Sequence, residues 1–358
     1  MTIRLDTPTG TDALTEFLLF HDEVYSYRAA RWLSMVPFQL PILTGDSPFA
    51  RDRVLRPFVA RDGGRIVARV LAAIDRRYQQ HWHERLGHLL MFEALPDTRT
   101  AVRQLIDAAC EWLAAQGASA ARAGMGMLDF PFAVDDYETL PAGFLRQSPA
   151  YYHALLKDAG CETERGFVDY RLVVAPQLSA RWQSALEAAR RNGFELVPLN
   201  QVPQRRRVAE FTALYNDAFK AHWGYTPFTV AEVADMTEAL APAGMLETSL
   251  IAYHEGAPVG VLWVTPETSF LALLAPGRAL RGEEKVNFLG IGVREPARGR
   301  GLNLAMAAHA YLELAGRGYT HLSYTLVLDD NWPSRRTAEK LGAHVCANYV
   351  VYRRNFQR

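Results

Sequence analysis

Apolar residues fall into the same succession of patterns twice along this chain. In the first half, runs at residues 55–61 and 65–74 flank Asp62-Gly63-Gly64; in the second, runs at 250–253 and 258–264 flank His254-Glu255-Gly256-Ala257. A short polar break carrying glycine between two apolar runs predicts a β-hairpin. Each hairpin is followed by another strand pattern, at 87–93 and at 286–293. A helix comes next. At 100–115 Val102, Leu105, Ile106, Ala109, Trp112 and Leu113 recur at helical spacing up to Gly117, and 302–315 forms the corresponding helix up to 316–318. The first half continues with a short helix at 151–159, ended by Gly160, and a strand at 167–173. The second continues with a strand at 320–328, a short helix at 334–340 ended at Gly342, and a strand at 345–353.

This repeated order predicts a mixed α/β (α+β) architecture in two domains related by internal duplication, with two unrelated α/β domains as the alternative. The join falls near Ala175 and Pro176. It gives a first domain over 1–176, a polar connector helix over 177–193 and a second domain over 194–358 whose core opens at Phe194. A chain of 358 residues has the length for two cores.

Composition narrows the classes. Lys plus Arg and Asp plus Glu both number 39, so bulk charge points to neither nucleic acid nor a membrane surface as partner. The N-terminus lacks the regions of a secretion signal, and no window approaches the roughly 18 apolar residues of a membrane span. Cys110, Cys161 and Cys346 have neither zinc nor disulfide spacing, and His81 and His83 have no third ligand nearby in sequence. A cytoplasmic protein without a metal is expected.

Candidate chemistry is concentrated in one stretch. From Phe288 a strand runs to Val293, a proline-bearing turn follows, and Arg298-Gly299-Arg300-Gly301 leads into a helix at Leu302 and Asn303. Glycines let backbone approach a ligand closely, and free N–H groups at a helix start attract an anion. Arg298 and Arg300 can add charge-assisted contacts to phosphate. Taken alone, Arg-Gly-Arg-Gly is equally a basic turn; its place between strand and helix favours the phosphate site. Downstream, the strand at 322–328 runs into Asp329, Asp330 and Asn331, then Ser334, Arg335, Ala338 and Gly342.

Together these segments resemble the GNAT superfamily of acyltransferases, over residues 252–353. Arg298 and Gly301 match its pyrophosphate loop; Asn331, Ser334 and Gly342 match the spacing of its next helix. The resemblance implies two GNAT-like domains, each a mostly antiparallel twisted sheet flanked by helices. It implies acetyl-CoA or another acyl-CoA as co-substrate. Backbone groups of Ile291, Gly292 and Val293 would pair with the pantetheine amides. The N–H groups of Arg298, Gly299, Arg300, Gly301, Leu302 and Asn303 would hold the pyrophosphate, Asn331 would contact pantetheine, and Arg335 would reach a phosphate. Two positions depart from the pattern. Asn303 stands where Gly or Ala is usual, and Ala338 stands where many members place a tyrosine general acid. Tyr324 is one replacement candidate, with Tyr349 and Tyr352 as others; for each, packing in the core or sheet is the commoner role. Direct attack by a neutral amine calls for a base or a water relay. His222, in the polar and aromatic stretch 215–225, and Glu267, just past a strand, are the base candidates; core packing is the alternative for that stretch.

In the first half, 130–145 stands in place of a phosphate loop, and 93–97 enters its helix without glycine. This half reads as a degenerate copy that packs on the active one or closes its acceptor pocket. Its run Ser148-Pro149-Ala150-Tyr151-Tyr152 is similar to a turn in tandem-GNAT proteins. The implied function is an N-acyltransferase moving an acetyl or other small acyl group onto an amine of a small metabolite, by direct attack in a ternary complex, as monomer or homodimer. The alternatives are a non-catalytic acyl-CoA sensor or assembly protein, and a Fem-like transferase drawing on aminoacyl-tRNA. The loop and the neutral charge argue against the last.

Overall fold

The computed structural model describes residues 3–356. The first half comprises β1 (Ile3–Asp6), α1 (Thr11–Val24), β2 (Ala30–Trp32), α2 (Val36–Thr44), β3 (Arg53–Asp62), β4 (Arg65–Asp75), α3 (Arg76–Trp82), β5 (Leu86–Ala94), α4 (Arg99–Ala115), β6 (Ala120–Ala123), β7 (Phe132–Ala133), α5 (Tyr152–Asp158) and β8 (Glu162–Val173). Helix α6 (Pro176–Arg191) leads into β9 (Phe194–Pro198), α7 (Gln204–Phe219), α8 (Val230–Leu240), α9 (Met245–Thr248), β10 (Leu250–His254) and β11 (Ala257–Thr265). The chain ends through β12 (Ala272–Leu274), β13 (Phe288–Val293), α10 (Leu302–Gly316), β14 (His321–Leu328), α11 (Trp332–Leu341) and β15 (His344–Asn355).

Local chemistry sets these boundaries. The β3–β4 hairpin turns on Gly63 and Gly64, both at positive φ. The apolar stripe of α4 buries Val102, Leu105, Ile106, Ala109 and Leu113, and the helix runs against β4 and β3. Thr229 and Glu232 form a reciprocal capping box that starts α8.

One sheet runs β1-β3-β4-β5-β6-β15-β8-β14, with β7 also on β15; a second runs β13-β11-β10-β9; β2 and β12 form a ribbon. This order contains an exchange of strands. The last strand of the first half, β8, lies between β14 and β15 of the second, while β15 lies between β6 and β8 of the first. Each half is therefore completed by the final strand of the other. Pairing on both edges accounts for the buried residues of these strands, among them Phe167, Val168, Tyr170 and Leu172 of β8 and Val350, Val351 and Tyr352 of β15.

The contacts between halves are also reciprocal. From α3, Trp82 Nε1 donates to Tyr225 O at 2.8 Å and His81 Nε2 lies 2.6 Å from Lys220 O. In return, β12 pairs with β2, and Leu33 N donates to Leu271 O at 2.9 Å. Helices α6, α10 and α11 cover one face of the exchanged strands with Trp182, Tyr311 and Ala338. The opposite face carries Phe167, Leu328, Tyr349 and Val351, packed against Leu145, Phe130, Trp223 and Phe288. Residues 130–145 thus follow β6 and cover this face. The first-half counterpart of the glycine loop is instead the connection 95–98 between β5 and α4, which corrects the position expected from sequence. Among the described residues no helix is long and apolar enough to cross a membrane.

Candidate functional site

Strands β13 and β14 are joined at their start by side chains and not by a ladder. Leu289 N donates to Thr325 Oγ1 at 2.8 Å, and that hydroxyl donates back to Leu289 O at 3.1 Å. Asn287 Nδ2 donates to Ser323 O, and Ser323 N to Asn287 Oδ1, each at 2.9 Å. Beyond Leu289, β13 pairs only with β11 among the described residues. Alternate residues of an antiparallel strand turn both backbone groups to one edge, so Ile291 and Val293, like Leu289, face the gap. On the face of the strand, glycine admits α7. A Cβ at Gly292 would lie 2.6 Å from Ala218 Cβ and 2.9 Å from the Phe219 ring.

The gap leads to Gly299 (φ 76) and Gly301 (φ 79), whose left-handed backbone shapes the turn into α10. Gly301 caps α10 with no side-chain hydrogen bond, leaving the helix start to a ligand or solvent. Leu302 is buried. Asn303 Oδ1 is buried without a partner. The two arginines are engaged elsewhere. Arg298 Nε donates to Val293 O at 3.0 Å, while Arg300 lies over Phe194 and donates to Asn192 O at 3.0 Å. Both guanidinium groups thus brace the turn, and the backbone N–H groups at the start of α10 are left as its anion-binding donors.

Asn331 caps α11, its Oδ1 accepting from Ser334 N at 3.3 Å. Ser334 Oγ lies 3.0 Å from the Tyr324 hydroxyl. Arg335 Nε donates to Tyr170 Oη at 2.9 Å, and the guanidinium stacks on Trp332. Tyr324 is buried in the core that contains Ala338. Burial pushes its hydroxyl up to about 12, so it remains a proton donor at neutral pH. Ser334 and Ala338 lie one turn apart on α11, so the Tyr324 hydroxyl reaches the same helix face as the vacated tyrosine position.

The base candidates separate. His222, on the turn after α7, contacts Trp223 O at 3.2 Å; burial lowers its pKa, opposed by the Trp223 carbonyl and the Asp330 charge. Glu267 lies past the end of β11, where Thr265 pairs with Phe288, the far end of β13 from the glycine loop. It accepts from Ser269 Oγ at 2.8 Å. Tyr349 packs in the core opposite α10, and the Tyr352 hydroxyl meets His153 Nδ1 at 2.7 Å.

Sequence reasoning missed Asp169. This β8 residue is fully buried where β14 bulges, with Leu326 at φ 44. Burial raises its carboxyl to about 6, against the opposing Arg171 charge and hydrogen bonds from Leu326 N–H, Ser323 and Tyr170 N–H. A charged residue inside the otherwise apolar run Phe167-Val168-Asp169-Tyr170 was the available signal.

The first half shows why only one copy keeps an open gap. At the end of β5, Ala94 N donates to the Tyr152 hydroxyl at 2.9 Å and Tyr151 donates to Ala94 O at 2.8 Å. The chain's own tyrosines satisfy the backbone groups at the position corresponding to Val293.

Residues 208–343 match the acetyltransferase (GNAT) family. The chain is 24% identical over 329 residues to the bacterial ceramide synthase of Caulobacter vibrioides, covering 86% of this chain and 85% of that protein. The solved tandem GNAT protein from the clavulanic acid biosynthesis pathway superposes with a TM-score of 0.59 at 14% identity, over 99% of this chain and 98% of that one. A solved GCN5-related N-acetyltransferase from Sphaerobacter thermophilus gives a TM-score of 0.55 at 15% identity, over 99% and 96%. At these identities the structural likeness establishes the fold.

Proposed function

We propose, for a chain whose residues 208–343 belong to the GNAT family within a tandem-GNAT fold, that the second half binds an acyl-CoA between β13 and β14 and transfers its acyl group to a primary amine. The observation that carries this reading is the edge of β13 at Ile291 and Val293, which no strand pairs and where Arg298 Nε holds Val293 O, continuous with Gly299, Gly301 and the bare start of α10. An extended pantetheine arm can pair with such an edge as an added strand does, with the diphosphate at the helix N-terminus.

In this reaction the amine nitrogen attacks the thioester carbon, the C–N bond forms and the C–S bond breaks. A backbone N–H on the β13 edge stabilises the oxyanion. The ammonium proton passes to a base and the thiolate takes a proton from Tyr324 through Ser334. Asp169, ionised at neutral pH and on the sheet face that carries Leu328 and meets Phe288, is favoured as base over His222.

A ceramide is an N-acylated long-chain amino alcohol. The likeness to a bacterial ceramide synthase along most of the chain, together with the apolar face of Phe130, Phe167, Trp223, Phe288 and Leu326, favours a long-chain amino alcohol as acceptor over a polar metabolite. The test is thiol release from acyl-CoAs ranging from acetyl to palmitoyl, against long-chain and short polar amines. Turnover confined to polar amines would remove the long-chain acceptor. Absence of both turnover and coenzyme A binding would remove the whole reading.

A further inference from the structure

A cavity of about 110 Å³ lies in the first half beside α1 and the end of β5, closed by Thr268 and Leu271 of the second half. Through the duplication α1 corresponds to α7, the helix that packs on β13 at Gly292.

Two independent features mark it as built for a ligand. Met91 (φ 52), Leu128 (φ 55) and Phe144 (φ 74) line it in left-handed backbone, although none is a residue that favours that conformation. Strain of this kind must be held by the surrounding structure and gathers at binding sites. Secondly, Trp32 Nε1, Arg69 Nε, Asp129 Oδ2, Arg146 Nε, Gln147 Oε1 and Thr268 Oγ1 all belong to lining side chains, are buried and have no hydrogen-bond partner. Arg69 and Thr268 are 2% exposed, Gln147 3% and Asp129 6%. A buried polar atom left unpaired forfeits its hydration without return, and folded proteins hold few of them. Glu93, by contrast, is occupied: His21, Tyr25 and Tyr152 all bond to it.

We propose that this cavity binds a small zwitterion of the α-amino-acid class, at a site separate from acyl transfer. The unpartnered donors of Trp32, Arg69 and Arg146 suit a carboxylate. The unpartnered oxygens of Asp129 and Gln147 suit an ammonium, and the Thr268 hydroxyl suits either. Arg69 and Arg146 balance Glu93 and Asp129, so a ligand with no net charge leaves the buried charges compensated, whereas a lone anion or cation does not. With Tyr151 and Tyr152 sealing the neighbouring gap, the bound molecule meets no thioester and is held without reaction. Because Thr268 and Leu271 come from the other half, occupancy fastens the two halves together. None of this depends on acyl transfer in the second half.

Calorimetric titration of the full chain with glycine, alanine and serine tests the proposal, with ethanolamine and glycolate as single-ended controls. At least one amino acid binds with a millimolar or tighter Kd, and both controls bind at least tenfold more weakly. Gln147→Leu and Asp129→Asn each weaken that binding tenfold or more, in proteins that circular dichroism melting shows to be folded; should one fail to fold, the other decides. The proposal is overturned if no amino acid binds at millimolar concentration, if a control binds as tightly, or if the folded variants bind like the parent. Coenzyme A binding is measured separately and bears on acyl transfer alone.

Discussion

The Tyr152 hydroxyl donates to the Glu93 carboxylate at 2.6 Å while accepting the N–H of Ala94 at 2.9 Å. Tyr152→Phe leaves the Ala94 N–H without that partner and Glu93 Oε2 with the Tyr25 hydroxyl alone, and should lower unfolding stability by about 1–3 kcal/mol in urea titration. Burial alone would raise Glu93, but the His21 hydrogen bond and the Arg146, His21 and Arg69 charges hold it near 2. A carboxylate depressed in the fold stabilises fully above its ordinary range and loses that contribution as pH falls toward 2. Glu93→Gln should therefore flatten the loss of stability between pH 4.5 and 2, over which the parent gives up the roughly 3 kcal/mol that the ionised group contributes above pH 4.5.

Asp169 has the opposite sign. Its carboxyl is raised to about 6 by burial, so between the ordinary value of 3.8 and 6 the folded state binds more protons than the unfolded one. Stability should fall as pH rises through that window, by about 3 kcal/mol, and level off above it. Asp169→Asn should remove this slope and be more stable than the parent at pH 8. The same variant should lower kcat by roughly 10²–10⁴ and abolish the limb of the rate profile near pH 6. A gain in stability without loss of rate would leave His222 as the base.

Gly292 admits α7 onto β13. Gly292→Ala places a Cβ 2.6 Å from Ala218 Cβ, and should cost about 1–3 kcal/mol by overpacking. It should also displace α7 from the β13 face and raise the KM for acyl-CoA, measured by thiol release.

Tyr324→Phe removes the hydroxyl that meets Ser334. If the pair protonates the thiolate, kcat should fall by roughly 10²-fold or more while the KM for acyl-CoA stays within about twofold, since the lost contact acts in the transition state. Ser334→Ala should match it in kcat, and the double variant should be no worse than either single one.

The repeated succession of hairpin, strand and helix was readable because its signals are local: Asp62-Gly63-Gly64 at one turn, the stripe from Val102 to Leu113, Gly301 before Leu302. The glycine loop after β13 follows from that same local pattern, whereas the open edge at Ile291 and Val293 was expected only from the resemblance to the GNAT superfamily. Partner choice is a long-range property. Nothing within 162–173 or 344–355 states that each strand will lie beside the other, because apolar strands of this length fit either half equally. Helix α2 carries Pro41 inside it and lacks a regular apolar stripe, so its pattern does not declare a helix. The ties of Arg298 and Arg300 to carbonyls and Phe194, and the depth of Asp169, depend on neighbours distant in the chain.

The strand exchange also bears on how the molecule is made. A ribosome releases β8 long before β15 exists, and the sheet holding β6 keeps an empty slot until the second half has been synthesised. At synthesis rates of roughly 5–20 residues per second, that interval is on the order of ten seconds or more. The nascent first half must pass it with one edge of β6 and both edges of β8 open to other chains. Its yield in the cell should therefore depend on chaperone supply more steeply than the stability of the finished protein suggests.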